Sequence, residues 1–257
     1  MKHWWLVIVL AIILTVSVGI GYAAGYRIGP NITLVKTRTL TITDLPAGAS
    51  VFADYAPRGE SAGGPFSMAI VPGAHTILVS APNYSPWASI VQVPEGADAT
   101  VQALVVPKAV SGTLLSGTPA DEARALIKDA VLPTEEHPLV LAHGCALVSL
   151  AQDGKTLIAA PTTPPACAPP PYLCVNGSCA KTVVYSAAAS PSAIVAYPGR
   201  QDALLMQIGQ NIFALSLDPR DPRTFVSVLH GIAPHMAARP DGTVVVSDQS
   251  SVYTLDL

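Results

Sequence analysis

The feature that most constrains this chain is a stretch without charge. Between Lys2 and Arg27, the 24 residues from His3 to Tyr26 contain no Asp, Glu, Lys or Arg. Trp4 to Leu14 is an unbroken apolar run, and Val16, Val18 and Ile20 extend it. About 20 apolar residues are needed for a helix to cross the hydrocarbon core of a bilayer. Trp4, Trp5, Tyr22 and Tyr26 stand near the two ends of the run, where aromatic rings favour the membrane interface. The rival reading is a cleaved signal peptide, whose apolar region is shorter, about 7–15 residues. Gly21-Tyr22-Ala23 has the small-x-small form of a cleavage site. Residues 1–26 are expected to be a transmembrane signal anchor. Arg27, Lys36 and Arg38 outnumber Lys2, so basic residues alone do not favour export of the C-terminal side. Long C-terminal domains translocate largely regardless of charge, however, and the cysteines read as disulfides. The expectation is a single-pass cell-membrane protein with a cytoplasmic amino end and an extracytoplasmic bulk.

The anchor does not account for the composition. Of the 31 charged side chains, 30 lie after Tyr26, about half the density of an average soluble domain. The net charge is −3 and no Lys/Arg cluster is present, which argues against a nucleic-acid partner. A hydrophobic fraction of 50% argues against disorder, and 24 Pro with 19 Gly against a long helical bundle.

From Thr39 onward the chain reads as short strands and turns. Thr39 to Thr43 alternates strictly, the period of a half-buried strand. Ser50 to Ala53, Phe66 to Val71, His75 to Ser80, Ala88 to Val93 and Thr100 to Val106 follow, joined mostly by Pro/Gly turns. Residues 27–107 are expected to form a small antiparallel β-sandwich. Residues 108–133 read as a linker with one short helix, capped by Thr118, with Pro119 at its first position and an end before Pro133.

Residues 134–257 contain a weak repeat. Gly154, Gly199 and Gly242 stand 45 and 43 residues apart, each followed by apolar strands. A β-propeller blade is about 40–45 residues, so the region is expected to be a partial propeller-like array or, alternatively, a plain β-meander. Roughly 120 residues supply fewer than three blades, short of the 4–8 that close a propeller. The fold class is therefore mainly β: an N-terminal helix, a sandwich, and a partial propeller-like or meander region.

The region from about Tyr22 to Pro107 resembles the PEGA domain, a small β-sandwich module of bacterial and archaeal envelope proteins. Pro46-Ala47-Gly48-Ala49-Ser50-Val51 is similar to the family's signature turn, with Ala47 in place of Glu. Ile70-Val71-Pro72-Gly73-Ala74-His75 resembles its Pro-Gly turn before a strand. Ala81-Pro82-Asn83-Tyr84-Ser85-Pro86-Trp87 resembles its Gly-Tyr to Trp segment. The family's tight turn after the second strand is replaced by the longer Tyr55 to Pro65, which lacks Thr-Pro. The resemblance implies a non-catalytic envelope or binding role and brings no catalytic residues. Trp87 is expected to be a structural anchor, the alternative being an exposed ligand-stacking ring that with Tyr84 would form a binding surface.

The four cysteines are Cys145, Cys167, Cys174 and Cys179, three of them in a Pro-rich insertion at 161–179. Asn176-Gly177 is a strong two-residue hairpin turn, which sets Cys174 opposite Cys179 in a close, non-hydrogen-bonded pair. A Cys174–Cys179 disulfide is expected, with Cys145–Cys167 as the residual pair. Zinc is the rival, but the spacings give no two short chelating pairs. No metal, cofactor or catalytic residue is expected. No nucleophile elbow or P-loop is present, and no two histidines flank a Glu as zinc-protease ligands do.

The expected function is a non-catalytic, membrane-anchored extracytoplasmic protein that binds or scaffolds. Its expected partners are the membrane and an envelope protein or cell-surface polysaccharide. One alternative is an envelope enzyme or accessory hydrolase, with His143, His230 or Asp248 in a distal site. Another is a structural subunit that forms homo-oligomers through open sheet edges.

Overall fold

The computed structural model describes residues 4–28, 34–162, 169–175 and 178–257. These residues are mainly β. The chain divides into two compact units, Met1–Leu78 with Ile90–Ala103, and Val79–Ser89 with Leu104–Leu257.

Helix α1 (Trp4–Ala23) is 20 residues long with no charged residue in its first or last turn. At 1.5 Å per residue it spans about 30 Å. Its large side chains are exposed, Leu10 at 68% and Ile20 at 65%. Among the described residues no helical stretch registers as long and apolar enough to cross a membrane. The side chain of Leu6, inside α1, lies outside that set, and by sequence the helix is uncharged throughout. Gly25, at φ +83°, turns the chain out of α1, and Thr37 donates to its carbonyl through both N and Oγ1. Strands β1 (Tyr26–Ile28) and β2 (Leu34–Lys36) then pair antiparallel.

Two sheets follow, built from β3 (Arg38–Thr43), β4 (Ser50–Ala53), β5 (Ala56–Glu60), β6 (Phe66–Ile70), β7 (Gly73–Ser80), β8 (Trp87–Val93) and β9 (Ala99–Gln102). Their orders are β6-β3-β9 and β5-β4-β7-β8. Alternate residues are buried: Leu40 and Ile42 on β3, Val51 and Ala53 on β4, Ile77 and Val79 on β7. Two features depart from expectation. β3 and β9 run parallel, Leu40 opposite Ala99, so the arrangement is not wholly antiparallel. The segment read as one long turn, Tyr55 to Pro65, contains β5. Asp54 and Tyr55, both at positive φ, make the two-residue turn that folds β5 back on β4. β5 is exposed along its whole length and carries Pro57, as an edge strand can, so it shows no alternation to read.

The second unit contains three four-stranded antiparallel sheets. Strand β10 (Ser111–Leu114) and helix α2 (Thr118–Asp129) come first. The first sheet is β11 (Leu139–Leu141), β12 (Ala146–Leu150), β13 (Thr156–Pro161) and, after a short hairpin of β14 (Cys174–Val175) and β15 (Ser178–Cys179), β16 (Thr182–Ser186). The second is β17 (Ala193–Ala196), β18 (Ala203–Ile208), β19 (Asn211–Ser216) and β20 (Phe225–His230). The third is β21 (Pro234–Ala238), β22 (Val244–Asp248) and β23 (Ser251–Asp256), with β10 on its outer edge. Leu141, Val148, Leu157 and Val184 of the first sheet pack against Leu204, Met206 and Leu215 of the second. β18 is buried from Ala203 to Gln207 without alternation, the pattern of a strand covered on both faces.

Three sequence expectations are corrected here. Residues 108–133 are not merely a linker: β10 completes the third sheet. Helix α2 lays Ala120 and Ala123 on Ala237, Val245 and Val252 of that sheet. Thr118 is not the helix cap; it is the first helical residue, and the Gly117 carbonyl accepts from Ala120 and Asp121. The glycine repeat is out of frame. Gly199 and Gly242 lie between the first and second strands of their sheets, but Gly154 lies between the second and third. The equivalent of the first two is Gly144, and the insertion between β13 and β16 lengthens the first sheet.

Candidate functional site

The first-to-second-strand turns of the three sheets are specialised. The first strands of the three sheets lie side by side, β17 against β21 and β11 against β17. The turn after β11 puts Ala142, His143 and Gly144 successively at positive φ (50°, 53° and 91°). Two of these are not glycine, a conformation that persists only where the surroundings enforce it. Gln201, in the turn after β17, accepts from the His143 amide at 3.1 Å. The Cys145 amide closes the turn onto the Ala142 carbonyl, and Cys145 is buried and disulfide-bonded.

The turn after β17 is Tyr197-Pro198-Gly199-Arg200. Gly199 supplies a positive φ of 69°, and the Arg200 amide donates to the Tyr197 carbonyl. Arg200 is only 6% exposed. Its guanidinium grips Asp202 in a two-pronged pair, Nε to Oδ1 at 2.9 Å and Nη2 to Oδ2 at 2.7 Å. Burial pushes the Tyr197 hydroxyl up to about 12, with Arg200 opposing and Tyr84 adding to the rise. Tyr172, at the start of the disulfide hairpin, is likewise raised by burial, then by the charges of Asp202 and Asp218. Its hydroxyl has no hydrogen-bond partner among the described residues.

The turns after β17 and β21 and the last turn of α2 enclose a cleft of about 410 Å³. Leu126, Val131, Leu139, Ile194 and Met236 give it apolar walls, and Asp129, Arg200, Gln201 and Arg239 give it polar points. A largely apolar concavity with a few placed polar groups is the usual form of a ligand site.

The disulfide hairpin takes its predicted form: Cys174 pairs with Cys179, Cα atoms 3.9 Å apart, Val175 opposite Ser178. Leu173, just before it, is buried in the core between the first two sheets. Cys167, the expected partner of Cys145, and the turn residues Asn176 and Gly177 lie outside the described residues.

The other sequence candidates have different partners. Trp87 is 4% exposed, so it is a core residue of β8 and presents no ring for ligand stacking. Tyr84 is half-buried and bridges Pro107. His143 engages Gln201 through its backbone only. His230 hydrogen-bonds Asn211 through Nδ1 at 3.0 Å. Asp248 accepts from the Ile232 and Ala233 amides and so caps the turn into β21, beside Gly231. Among the described residues no hydrogen bond or ion pair joins His143 to His230 or Asp248. Among the described residues no three His, Cys, Asp or Glu side chains are grouped to hold a metal.

Sequence reading missed the Arg200–Asp202 pair, Gln201 and Tyr197. Pro198-Gly199-Arg200 was legible only as a repeat turn, because an Arg two residues before an Asp says nothing about burial. No protein-family model matches the chain, and no curated protein matches it.

Proposed function

We propose that this chain is a single-pass, membrane-anchored protein whose extracytoplasmic part binds an envelope component, a protein segment or a surface glycan, without catalysing a reaction on it. The uncharged, exposed helix α1 supports the anchor. The PEGA-like turns and the two sheets between β3 and β9 support an envelope module. The cross-strand Cys174–Cys179 bridge fits an oxidising compartment. The three meander sheets, with β10 clasping the last, are read as propeller-like blades.

The observation that carries the binding reading is the cleft between the turns of the second and third sheets and the end of α2. Its buried cation is already held by Asp202 and its buried tyrosine is held neutral. The polar groups are thus fixed in place beside apolar walls, an arrangement suited to recognition. The test is a photo-crosslinking residue at Val131, which is 83% exposed on the cleft rim, in the full chain within native membranes. Tyr55, at 88% exposure on the β4–β5 turn, is the control position. A discrete adduct from position 131 alone is expected; equal adducts from both positions would overturn the reading.

A second reading, a structural subunit, has one observation in its favour. On the face of the first sheet turned away from the second, Val140 and Val183 remain 57% and 54% exposed. Two copies cannot close into one ring of six sheets, because that needs both terminal faces and α2 covers the third sheet. A second copy would have to pair first sheet to first sheet about a two-fold axis.

A further inference from the structure

Where α1 ends, the β1–β2 hairpin folds back beside it. Leu14, Ser17, Val18 and Gly21 of the helix and Tyr26 and Leu34 of the hairpin border a groove of about 670 Å³. Gly21 has open space where a Cβ would stand, which widens the groove on the helix side. Leu34 is 75% exposed and Tyr26 43% exposed, so the hairpin turns apolar surface outward at the helix exit. Tyr22 and Arg27 close the far end of the groove. The Arg27 guanidinium lies 3.4 Å from the centroid of the Tyr22 ring. Its Nη1 donates to the Tyr22 and Tyr26 carbonyls at 2.8 and 2.9 Å, which holds the cation at the helix C-terminus. Nη2 and Nε donate to no protein acceptor among the described residues. In sequence Arg27, Lys36 and Arg38 all precede the first acidic residue, Asp44. In the fold Arg38 Nε donates to the Glu95 carbonyl and the Asp98 carboxylate accepts from the Thr39 amide, so the charge that lines the groove itself is that of Arg27.

We propose that this groove seats one anionic phospholipid of the surrounding bilayer, its acyl chain along Leu14, Val18 and Leu34 and its phosphate on Arg27. The proposal rests on the membrane-anchor reading. The occupant follows from chemistry at one depth: an apolar trough running along a membrane helix, ended by a fixed guanidinium with free donors. A guanidinium binds a phosphate through parallel N–H donors, and basic residues next to a membrane helix attract anionic headgroups. A zwitterionic lipid brings its own cation and gains less from a site whose charged lining residue is a guanidinium.

The experiment uses the full chain reconstituted in vesicles of phosphatidylcholine with an equal share of phosphatidylglycerol. Resistance to carbonate extraction reads the anchor. Native mass spectrometry after detergent extraction reads which lipid stays bound. The expected result is a carbonate-resistant chain that retains one phosphatidylglycerol at about tenfold preference over phosphatidylcholine, equivalent to about 1.4 kcal/mol. Arg27→Gln should abolish the preference and leave carbonate resistance intact. Val18→Trp, which fills the trough and keeps the cation, should reduce retention of both lipids. Equal retention of the two lipids, or an undiminished preference in Arg27→Gln, overturns the groove while the anchor stands. Release by carbonate overturns the anchor and the groove with it.

Discussion

At the scale of single residues, the buried polar groups explain more than the apolar ones. His75 lies in the inward row of β7 with Ile77 and Val79, yet it is satisfied on both sides. Its Nδ1 stands 2.7 Å from Asp54 Oδ2 and its Nε2 2.7 Å from the Val71 carbonyl. Asp54 Oδ1 also accepts from the Thr76 amide, so one carboxylate ties the β4–β5 turn to β7. His75→Phe removes both ring contacts without removing the bulk, and thermal unfolding of the detergent-solubilised chain should show a loss of about 1–3 kcal/mol. A second expectation concerns alkaline pH. Tyr197 ionises at about 12 when folded against an ordinary value of 10.0. Above pH 10 the unfolded chain gives up that proton first, so stability falls with rising pH until about 12, at up to about 1.4 kcal/mol per unit. The fall should be shallower in Tyr197→Phe, as read by denaturant unfolding at pH 9 to 12. Neither group could be found by sequence reading. His75 was legible only as the start of a strand, and its partner is 21 residues away in a turn whose conformation rests on two positive-φ residues.

At the scale of elements, a strand shows in the sequence when one face is buried and is lost when none is. β3, β4 and β7 alternate in burial and were legible as strands. β5 and β10 are exposed at every position, so hydrophobic pattern carries no trace of them, and both were read as connections. What fixes β10 is contact with β23: Ser111 opposite Asp256, Leu114 opposite Tyr253. Gly112 is the key residue of that pairing. A Cβ there would stand 2.4 Å from the Thr254 carbonyl oxygen and 2.9 Å from the Tyr253 ring. Gly112→Ala should therefore unseat β10. Hydrogen exchange should then quicken at the β23 amides that face it while the second sheet keeps its protection. Unchanged protection along β23 would show that the strand is held by something other than this ladder. Helix α2 was legible because its signals are local: Pro119 in the first turn, Asp121 near the N-terminus and Lys128 near the C-terminus. Its task was not, since Ala120 and Ala123 become a packing surface only against a sheet formed more than 100 residues later.

At the scale of the molecule, the sequence announced repetition but not its frame. The 45-residue interval from Gly154 to Gly199 joins turns of different rank, and the count of sheets came out short because one strand of the third, β10, precedes the other three by more than 100 residues. The face that carries Val140 and Val183 belongs to this scale as well. If the structural-subunit reading holds, sedimentation of the detergent-solubilised chain should show a dimer that Val183→Glu converts to monomer. A monomer in the parent chain would remove that reading and leave the binding one intact. The clasp of β10 on β23 has a further consequence, for synthesis. Ser111 and Asp256 are hydrogen-bonded across 145 residues. A contact so remote in sequence is slow to form, and chains fold their early parts first as they emerge. The first two sheets can assemble from local hairpins while the chain is still being made. The third must wait for its final strand, with β10 and the apolar side of α2 standing open in the meantime. A chain cut short before β23 keeps that edge and that helix face bare, so a damaged product advertises itself to proteases and a finished one does not.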